Sequence, residues 1–455
     1  MNDLPLDWPL VSAHGLDDVL AWDTTRPRRV RDLLADATAL AARLPAGGHL
    51  LNICENRWHF AVGFCAGLLH GKISLQPTSQ STETLQRLRL AYPDMAVLTD
   101  GDPIEYTRQG LACLPYPQDL APTPADISVM PSVPAAQLAA ILFTSGSTGQ
   151  PQAHGKTWGK LVANGRAAAK VLGLDKVSAT IVATVPIQHS YGFESTLLIA
   201  LHGGATFWTG KPFYPQDIVT ALAAVPSPRL LVTTPFHLST LLAANLPLPP
   251  LTAILSATAP LPNALATRAE ASSNAPVLEI YGSTESGQLA WRRTLKDAVW
   301  QLLPDVELHQ NGEQTTARGA HVEGEVILSD LIELLPDRRF ILQGRKADLI
   351  NIAGKRTSLA YLNRQITALP GVQDAAFFLP DTVDEADVMH VTRLVAFVVA
   401  PDKTVAELLI ALREKVDAVF MPRPMLLVDA LPRNSTGKLP RSELAALYAA
   451  KTARK

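Results

Sequence analysis

Short apolar runs alternate with amphipathic stretches over most of the chain, and this alternation constrains the fold more than any other feature. The runs have the length of buried strands, and the stretches between them have helical periodicity. Such alternation favours an α/β fold with mostly parallel sheets covered by helices. The predicted strands include Leu138–Phe143, Ile181–Val185, Ala205–Trp208, Leu230–Thr233, Ala253–Ser256 and Val277–Ile280, and the predicted helices Trp158–Leu172, Gln216–Ala224 and Ala264–Ser272.

The pattern changes near Gly344–Asp348. A chain of 455 residues exceeds the usual size of one domain, so at least two are expected. We predict a large domain over residues 1–344 and a small α+β domain over 345–455, whereas 101–133 reads as a surface connection. The predicted elements of the small domain are strands Leu349–Ile352, Ala375–Leu379 and Leu394–Val399 and helices Leu359–Thr367 and Val405–Val416.

Composition excludes several classes of protein. The 47% hydrophobic content supports a large core, and a net charge of −2 without a basic stripe argues against nucleic-acid binding. Cys54, Cys65 and Cys113 lack metal-ligand spacing, so we expect buried thiols in a reducing compartment. The N-terminus shows no signal-peptide pattern, and Tyr191–Trp208, the most apolar stretch, contains Glu194. We therefore expect a soluble cytoplasmic protein without a membrane span.

A loop of small polar residues follows the predicted strand Leu138–Phe143. Glycine lets backbone N–H groups converge on an anion, and neighbouring hydroxyls can donate to phosphate oxygens. An ordinary Ser/Gly-rich loop is the alternative interpretation. The candidate phosphate-binding residues are Thr144, Ser145, Gly146, Ser147, Thr148 and Gly149.

The segment Gly149–Thr157 superficially resembles the phosphate loop of P-loop NTPases. Five residues instead of four separate Gly149 from Gly155, and Pro151 removes a backbone donor. We therefore reject a P-loop.

The strand and loop 141–152 resemble the phosphate loop of the adenylate-forming superfamily, which includes acyl- and aryl-CoA synthetases and peptide-synthetase adenylation domains. In that family the loop reads like TSGSTGxPK. Gln152 stands where the family usually has lysine, and Lys156 could partly substitute for the missing charge. The stretch Asn52–Arg57 resembles the early core of the same family.

The segment Pro186–Phe193 resembles the PxxHxYG motif of this family. The resemblance implies that His189 is an aromatic gate beside the carboxylate pocket, although a lone histidine is more often structural. Tyr191, Phe193 and Ser195 follow the gate and could line the acid pocket, or could pack in the core.

The segment Tyr281–Glu285 resembles the YGxTE motif. An aromatic face suits a purine, a hydroxyl suits the α-phosphate, and a carboxylate suits a hard cation. The alternative is a strand-to-helix turn capped by Ser283 or Thr284. Glu285 is expected to hold Mg²⁺ together with Thr144, and the remaining expected nucleotide contacts are Tyr281, Gly282, Ser283 and Thr284, with Ser256, Ala257 and Thr258 from a weaker match to SGGAPL.

Three further positions complete the resemblance. Asp330 stands in place of the family's ribose-binding aspartate, and Arg345 begins a segment that resembles GRxDDxIKxxG. The hinge position falls on Ala347. Lys438 lies in a segment that resembles PxxxxGKxxR, whose lysine bridges the substrate carboxylate and the α-phosphate.

The resemblance implies an AMP-forming acid–thiol ligase that uses ATP and Mg²⁺. The acid is activated as an acyl-adenylate with release of pyrophosphate, and the acyl group passes to CoA or to the phosphopantetheine of an acyl carrier protein. The small domain is expected to rotate between the two half-reactions. Compact ligases of aryl-polyene and xanthomonadin-type pigment pathways suggest an aromatic, hydroxybenzoate-like acid. Alternatives are a short- or medium-chain fatty acyl-CoA synthetase, a non-catalytic nucleotide- or acyl-binding relative, and an unrelated NTPase.

Overall fold

The computed structural model describes residues 5–120, 127–145, 151–319, 321–345, 349–352, 355–380, 393–433 and 439–452. Its largest sheet has eleven strands over these ranges, parallel in the middle and antiparallel towards both edges. In spatial order the strands are β21 Asp330–Leu335, β22 Arg339–Arg345, β17 Val299–Leu302, β16 Gly287–Arg293, β15 Val277–Ser283, β14 Ala253–Ser256, β13 Arg229–Thr233, β11 Thr180–Ala183, β12 Thr206–Trp208, β2 Val19–Trp22 and β3 Pro27–Arg29.

A second, six-stranded sheet contains the strand that leads into the predicted phosphate loop. Four neighbouring pairs are parallel, and the hairpin of its last two strands is antiparallel. In spatial order the strands are β10 Pro151–Thr157, β9 Leu138–Ser145, β5 Ile73–Gln76, β4 His49–Asn52, β6 Met95–Thr99 and β7 Ala112–Pro115. The short strands β1 Asp7–Pro9 and β8 Ser132–Pro134 pair with each other, and β18 Val306–Asn311, β19 Gln314–Gly319 and β20 Val326–Ile327 form a small antiparallel sheet.

Helices cover both sheets. One helical segment is continuous from Ser190 to Gly203, and its centre, Phe193–Leu198, is π-helical. The helices are α1 Val30–Ala41, α2 Arg57–Leu69, α3 Thr82–Ala91, α4 Ile104–Arg108, α5 Trp158–Val171, α6 Ser190–Gly192, α7 Ile199–Gly203, α8 Pro215–Ala224, α9 Pro235–Ala243, α10 Asn263–Ser273, α11 Leu359–Thr367, α12 Val405–Arg413 and α13 Arg441–Thr452, with a 3₁₀ turn at Ala418–Phe420.

Helix α5 connects the two large sheets. It follows β10 directly, contacts β10 of one sheet and β16 of the other, and packs along α7. Trp158 at its start is fully buried in the main hydrophobic cluster, which also contains Phe64 and Phe193. Burial of such large side chains favours a fixed arrangement of both sheets. The helix therefore sets the position of β10 relative to the β15–β16 hairpin.

The elements after residue 349 form their own small sheets. Strands β23 Leu349–Ile352 and β24 Lys355–Ser358 form a hairpin, and β25 Asp374–Phe378, β26 Val395–Val399 and β27 Met425–Leu427 form a three-stranded sheet. A separate hydrophobic cluster, with Leu362, Phe377 and Leu408 among its members, lies between this sheet and helices α11 and α12. A separate core is what an independent domain requires. The boundary at residue 344 remains a prediction.

The α/β fold predicted from the alternation is confirmed, and its strands and helices end within a few residues of the predicted positions. Two local interpretations were wrong. The connection 101–133 contains α4 and the sheet strand β7. The residues after Tyr281 do not lead into a helix, because β15 turns into the antiparallel strand β16. The interpretation of Ser283 or Thr284 as a helix cap therefore fails.

Candidate functional site

Strands of the large sheet end together at the edge where the predicted site residues occur. Strands β11, β13, β14 and β15 are parallel neighbours, so their carboxyl ends share one edge of the sheet. The segments with His189, Ser256 and Tyr281 follow or end these strands. Ligands of open parallel sheets bind at this edge. The fold thus gathers motifs that are distant in the sequence.

His154, which the sequence motifs did not single out, lies between two parts of the site. One is the end of strand β9, which leads into the predicted phosphate loop. The other is the turn between β15 and β16 that carries Glu285, called the acidic turn below. His154 Nε2 lies 3.1 Å from Thr144 Oγ1 and 3.9 Å from Glu285 Oε1. Burial lowers the pKa of His154, an effect that Glu285 opposes, so the ring is neutral at pH 7. The two predicted metal ligands, Thr144 and Glu285, therefore both lie within 4 Å of the same nitrogen of His154.

Lys156 does not take the place of the family lysine at Gln152. Its side chain is only 3% exposed, and Nζ donates a hydrogen bond to the backbone carbonyl of Glu285 at 2.6 Å. Burial lowers the pKa of Lys156, and the charges of Glu194, Glu323 and Glu285 oppose this shift. The expected substitution is wrong because the ammonium lies beneath the acidic turn, whereas Gln152 is exposed.

A hydroxyl pair connects the predicted gate with the acidic turn. Ser190 Oγ and Thr284 Oγ1 are 3.2 Å apart, and Ser190 begins the helical segment directly after His189. His189 is half-buried in extended backbone at the N-terminal end of this segment. The structure therefore brings His189, Thr284 and Glu285 into one neighbourhood, as the motifs predict.

The three candidate pocket residues that follow His189 pack in the core. Tyr191 is buried and its hydroxyl donates to the carbonyl of Leu255 at 2.9 Å. Phe193 has no exposed surface and meets Phe64 edge-to-face at 5.1 Å. Ser195 is equally buried and accepts a hydrogen bond from Nε2 of Gln288, which is also buried, at 2.9 Å.

Of the two interpretations of Tyr191, Phe193 and Ser195, core packing is therefore the one that the described geometry favours. The physical reason is helical geometry. Phe193 and Ser195 lie in the π-helical stretch Phe193–Leu198, which packs along α5, and the ring of Phe193 also meets Phe64 of α2. Single-turn π-helices are frequent near functional sites, where they re-aim side chains.

An aromatic group and a carboxylate form a second part of the site. Tyr281 donates its hydroxyl hydrogen to Asp330 Oδ2 at 2.7 Å. Its ring packs against Trp300 and Phe340, with ring centres 5.6 and 5.5 Å apart. Asp330 pairs in register with Arg345 across β21 and β22. The predicted ribose contacts are thus adjacent to the predicted purine platform.

The segment after β14 combines a buried hydroxyl with an unusual backbone. Ser256 is fully buried, and its Oγ finds no hydrogen-bond partner within the described ranges. Ala257 is buried and Thr258 is half-buried with a φ of 77°. Positive φ is costly for a β-branched residue, and the family motif has glycine at the position of Thr258. Thr258 therefore holds a strained backbone conformation that glycine would adopt freely.

Some predicted residues lie outside the described residues. They are Gly146, Ser147, Thr148, Gly149 and Lys438, together with the predicted hinge Ala347. Ser145 ends β9 and pairs with Pro151 across the hairpin. The phosphate-loop and lysine predictions therefore stand as predictions.

The donor set near Glu285 suits a magnesium ion that is bound partly by its substrate. Within the described part of the chain, no cluster of three or more His, Cys, Asp or Glu side chains could hold a metal ion by itself. Mg²⁺ in nucleotide enzymes commonly uses one or two protein oxygens together with phosphate oxygens. Glu285, with its side chain 35% exposed, and the nearby Thr144 hydroxyl offer that kind of incomplete set.

A weak sequence pattern includes the residues beneath the acidic turn: polar side chains alternate along 151–157, as they do on one face of a strand. Gln152, His154 and Lys156 alternate along PQAHGKT, the spacing of one face of a strand. Recognising this strand would have placed His154 and Lys156 on one side of β10. Glu194, whose charge acts on Lys156, is separated from it in sequence and carries no motif.

Comparisons with known proteins identify the family of the chain. A family model described as AMP-binding enzyme matches residues 25–330. The chain is 28% identical over 304 residues to a 4-coumarate–CoA ligase of Rhodobacter capsulatus, covering 66% of this chain and 74% of the relative. It is 26% identical over 335 residues to an L-proline–[L-prolyl-carrier protein] ligase of Streptomyces coelicolor, covering 62% and 61%.

Solved structures share the fold over nearly the whole chain. The o-succinylbenzoate CoA synthetase of Bacillus subtilis, in complex with its acyl-adenylate intermediate, superposes with a TM-score of 0.80 at 17% identity, covering 96% of this chain and 98% of that one. No helix among the described residues is long and apolar enough to cross a membrane.

Proposed function

The chain belongs to the AMP-binding enzyme family of adenylate-forming acid–thiol ligases, and we propose that it activates an aromatic carboxylic acid with ATP and transfers the acyl group to a thiol. The observation that carries the proposal is the convergence of three predicted motifs, two from the large sheet and one from the end of β9 in the six-stranded sheet. Thr144, Ser190, Thr284 and Glu285 are linked through direct contacts or through His154. The ATP-binding character of the family supports the nucleotide assignment.

The reaction demands that two anions approach each other. A carboxylate oxygen attacks the α-phosphorus of ATP, and pyrophosphate leaves with the electrons of the broken P–O bond. Hydroxyl groups of Thr144 and Thr284 and the backbone N–H groups of the loop 144–149 would donate hydrogen bonds to the phosphate oxygens. His189 would lie beside the incoming acid. Bound Mg²⁺, held by Glu285 and Thr144, would neutralise charge on the triphosphate.

The nucleoside would lie on the other part of the site. The ring of Tyr281 offers an aromatic face for the purine, while Asp330 can accept hydrogen bonds from ribose hydroxyls. Arg345, opposite Asp330 in the strand register, would contact ribose or phosphate. Lys438 would bridge the substrate carboxylate and the α-phosphate as a compact cation.

The acid and the acceptor rest on likeness to relatives. Relatives named 4-coumarate–CoA ligase and salicylyl-CoA synthase support an aromatic acid such as a hydroxybenzoate. A relative named for a carrier protein supports an acyl carrier protein as thiol acceptor beside CoA. A hydroxybenzoate on an acyl carrier protein is the specific pair that we propose.

The decisive experiment is acid-dependent exchange of pyrophosphate into ATP. The panel would contain hydroxybenzoates, 4-coumarate, and short- and medium-chain fatty acids. We expect the highest exchange with an aromatic acid and AMP as the nucleotide product. Preference for a fatty acid would replace the aromatic assignment, and absence of exchange with every acid, or formation of ADP, would overturn the proposed reaction.

The acceptor would be tested by competition. CoA and a phosphopantetheinylated acyl carrier protein would be supplied together to the enzyme with the preferred acid and ATP. The proposal expects faster thioester formation on the carrier protein. Faster formation of the CoA thioester would overturn that part.

A further inference from the structure

The turn that presents Glu285 is tightly constrained. Ser283 and Ser286 bond to each other through both side chains and backbone, with Ser283 N to Ser286 Oγ and Ser286 N to Ser283 Oγ at 3.2 Å each. A Cβ on Gly282 would lie 2.2 Å from the carbonyl of Gly287, and Gly287 has a φ of 71°. The backbone on both sides of Glu285 thus has little freedom.

Strand β10 contacts Glu285 at two points. Lys156 Nζ donates to its backbone carbonyl, and His154 Nε2 lies 3.9 Å from its carboxylate. These two side chains are two residues apart, so they stand on the same face of the strand. One strand therefore holds the main chain of the predicted metal ligand through Lys156 and places His154 beside its carboxylate.

The charges of three acids act on the ammonium of Lys156, and one of these acids, Glu194, is buried. Glu194 accepts hydrogen bonds from Asn164 and from the backbone of Gln288, the second residue of β16. Burial raises the pKa of Glu194 to about 7, and the charge of Lys156 opposes this rise. Glu323 accepts from the backbone N–H and the hydroxyl of Thr157, next to Lys156, at 2.7 and 2.8 Å.

A buried charge cluster of this kind is a poor way to gain stability alone. Removing ions from water is costly, and apolar side chains of the same volume commonly stabilise as well or better. The hydrogen bond from an ammonium to a carbonyl is strong and directional. The acceptor of this hydrogen bond is the backbone carbonyl of Glu285, the residue of the turn that is predicted to bind metal. The cluster therefore acts on the predicted metal ligand and does not only fill the core.

We propose that Lys156 is a positioning residue for the metal-binding carboxylate of Glu285, acting through the Glu285 backbone carbonyl, with Glu194 as the buried acid behind it. The inference rests on the proposed function, because it takes Glu285 as the ligand of Mg²⁺. Outer partners that orient a ligand typically change metal affinity 10- to 100-fold when removed. Loss of the cluster should therefore weaken metal binding while leaving the nucleoside and acid sites intact.

The test uses the double variant Lys156→Met, Glu194→Gln. It removes both charges at similar volume, so that neither partner remains buried without the other. Binding of Mn²⁺, as a substitute for Mg²⁺, is measured by electron paramagnetic resonance in the presence of an ATP analogue that cannot be cleaved between the α- and β-phosphates. Analogue affinity in EDTA and the KM for the acid are measured in parallel. Lys170→Met, an exposed lysine on α5, is the matched control.

We expect about tenfold weaker Mn²⁺ binding in the double variant, with the affinity in EDTA and the acid KM within twofold of the parent. Unchanged Mn²⁺ binding, or equal losses of Mn²⁺ and metal-free nucleotide binding, would overturn the inference. The variant Glu285→Gln distinguishes an error in the proposed metal ligand from an error in the positioning role of Lys156. If Glu285→Gln leaves Mn²⁺ binding intact, the proposed metal ligand is wrong; if it abolishes binding while the double variant does not, the positioning role alone is wrong.

Should the double variant fail to fold, Lys156→Gln would replace it. Glutamine keeps a shorter neutral donor for the Glu285 carbonyl, and Mn²⁺ binding within twofold of the parent would then count against the need for the ammonium. Weakening of about tenfold would support it.

Discussion

The two parts of the candidate site are supported in different ways. The metal side, which comprises Thr144, His154 and Glu285, lies above buried charged and polar groups. The nucleoside side, which comprises Tyr281, Asp330 and Thr258, lies against aromatic packing and a strained backbone. Charges respond to pH and to substitution of a partner, whereas packed rings respond chiefly to volume. Substitutions beneath the metal side should therefore weaken metal binding and leave nucleoside binding intact, and substitutions beneath the nucleoside side should do the reverse.

A residue that belongs to neither side gives the largest expected effect. Lys438→Ala removes the cation predicted to act on the α-phosphate, so acid-dependent pyrophosphate exchange should fall by about 10²- to 10³-fold. Thioester formation from a supplied acyl-adenylate should persist, because in that step the thiol attacks the acyl carbon, AMP leaves with the electrons of the broken C–O bond, and no nucleophile approaches the phosphorus. Both half-reactions would be timed by rapid quench. Equal loss of both would contradict the assigned role and leave the two-sided site without its bridging cation.

The support of the metal side should make stability depend on pH. His321 Nε2 lies 2.5 Å from the carbonyl of Gln288 on β16, and burial lowers the pKa of His321 to about 4. The unfolded chain, with a histidine pKa near 6.5, binds more protons between pH 6.5 and 4, so stability falls as pH falls through that window. His321→Gln should remove up to about 3 kcal/mol of that loss.

Chemical denaturation at several pH values would measure this effect. The exposed His309 on β18, changed to Gln, is the control and should leave the pH slope unaltered. A slope in His321→Gln equal to that of the parent would mean that the metal side is not supported by a neutral buried histidine.

A smaller effect is expected on the nucleoside side. Tyr281→Phe removes the hydroxyl that donates to Asp330 but keeps the ring against Trp300 and Phe340. One such hydrogen bond contributes about 0.5–1.5 kcal/mol, so the KM for ATP should rise about two- to tenfold. The magnesium concentration for half-maximal rate should not change, because the metal side is untouched.

Steady-state kinetics over ATP and Mg²⁺ would distinguish the two parameters. Tyr361→Phe, whose hydroxyl contacts the carbonyl of Lys415 far along the chain, is the control. A parallel rise in the magnesium requirement of Tyr281→Phe would show that the two sides are coupled and would weaken the comparison.

Sequence reasoning was strongest where local patterns decide structure. Strand Ala253–Ser256 and helix Leu359–Thr367 have the predicted bounds, because period and apolar runs fix them. Family order assigned Tyr281 and Asp330 to one nucleotide site, and the hydrogen bond between them shows that they are neighbours. Local pattern predicted the architecture, whereas nucleotide binding by these residues stays a prediction.

The metal side's support could not be read from the sequence in the same way. Whether Lys156 points to solvent or into the core depends on the register of β10 against β9 and on the position of α5. Likewise, Phe193 and Ser195 follow a motif residue but face the core, because the helix that carries them is π-helical there. Such side-chain directions follow from tertiary packing, which a motif does not encode.

The smallest expected effect tests the strained backbone of the nucleoside side. Thr258 has a φ of 77°, which a β-branched residue adopts at a cost of about 1–3 kcal/mol, whereas glycine adopts it freely. Thr258→Gly also loosens the unfolded chain at a cost of about 0.5–1 kcal/mol, so the net gain in free energy of unfolding should be about 1 kcal/mol. The control is Thr252→Gly, at an exposed position directly before β14 that has no positive φ. This variant should lower the free energy of unfolding by a similar amount. Thermal and chemical unfolding of both variants would give the two signs, and destabilisation by Thr258→Gly would mean that contacts of the threonine side chain outweigh the strain and help hold the nucleoside side.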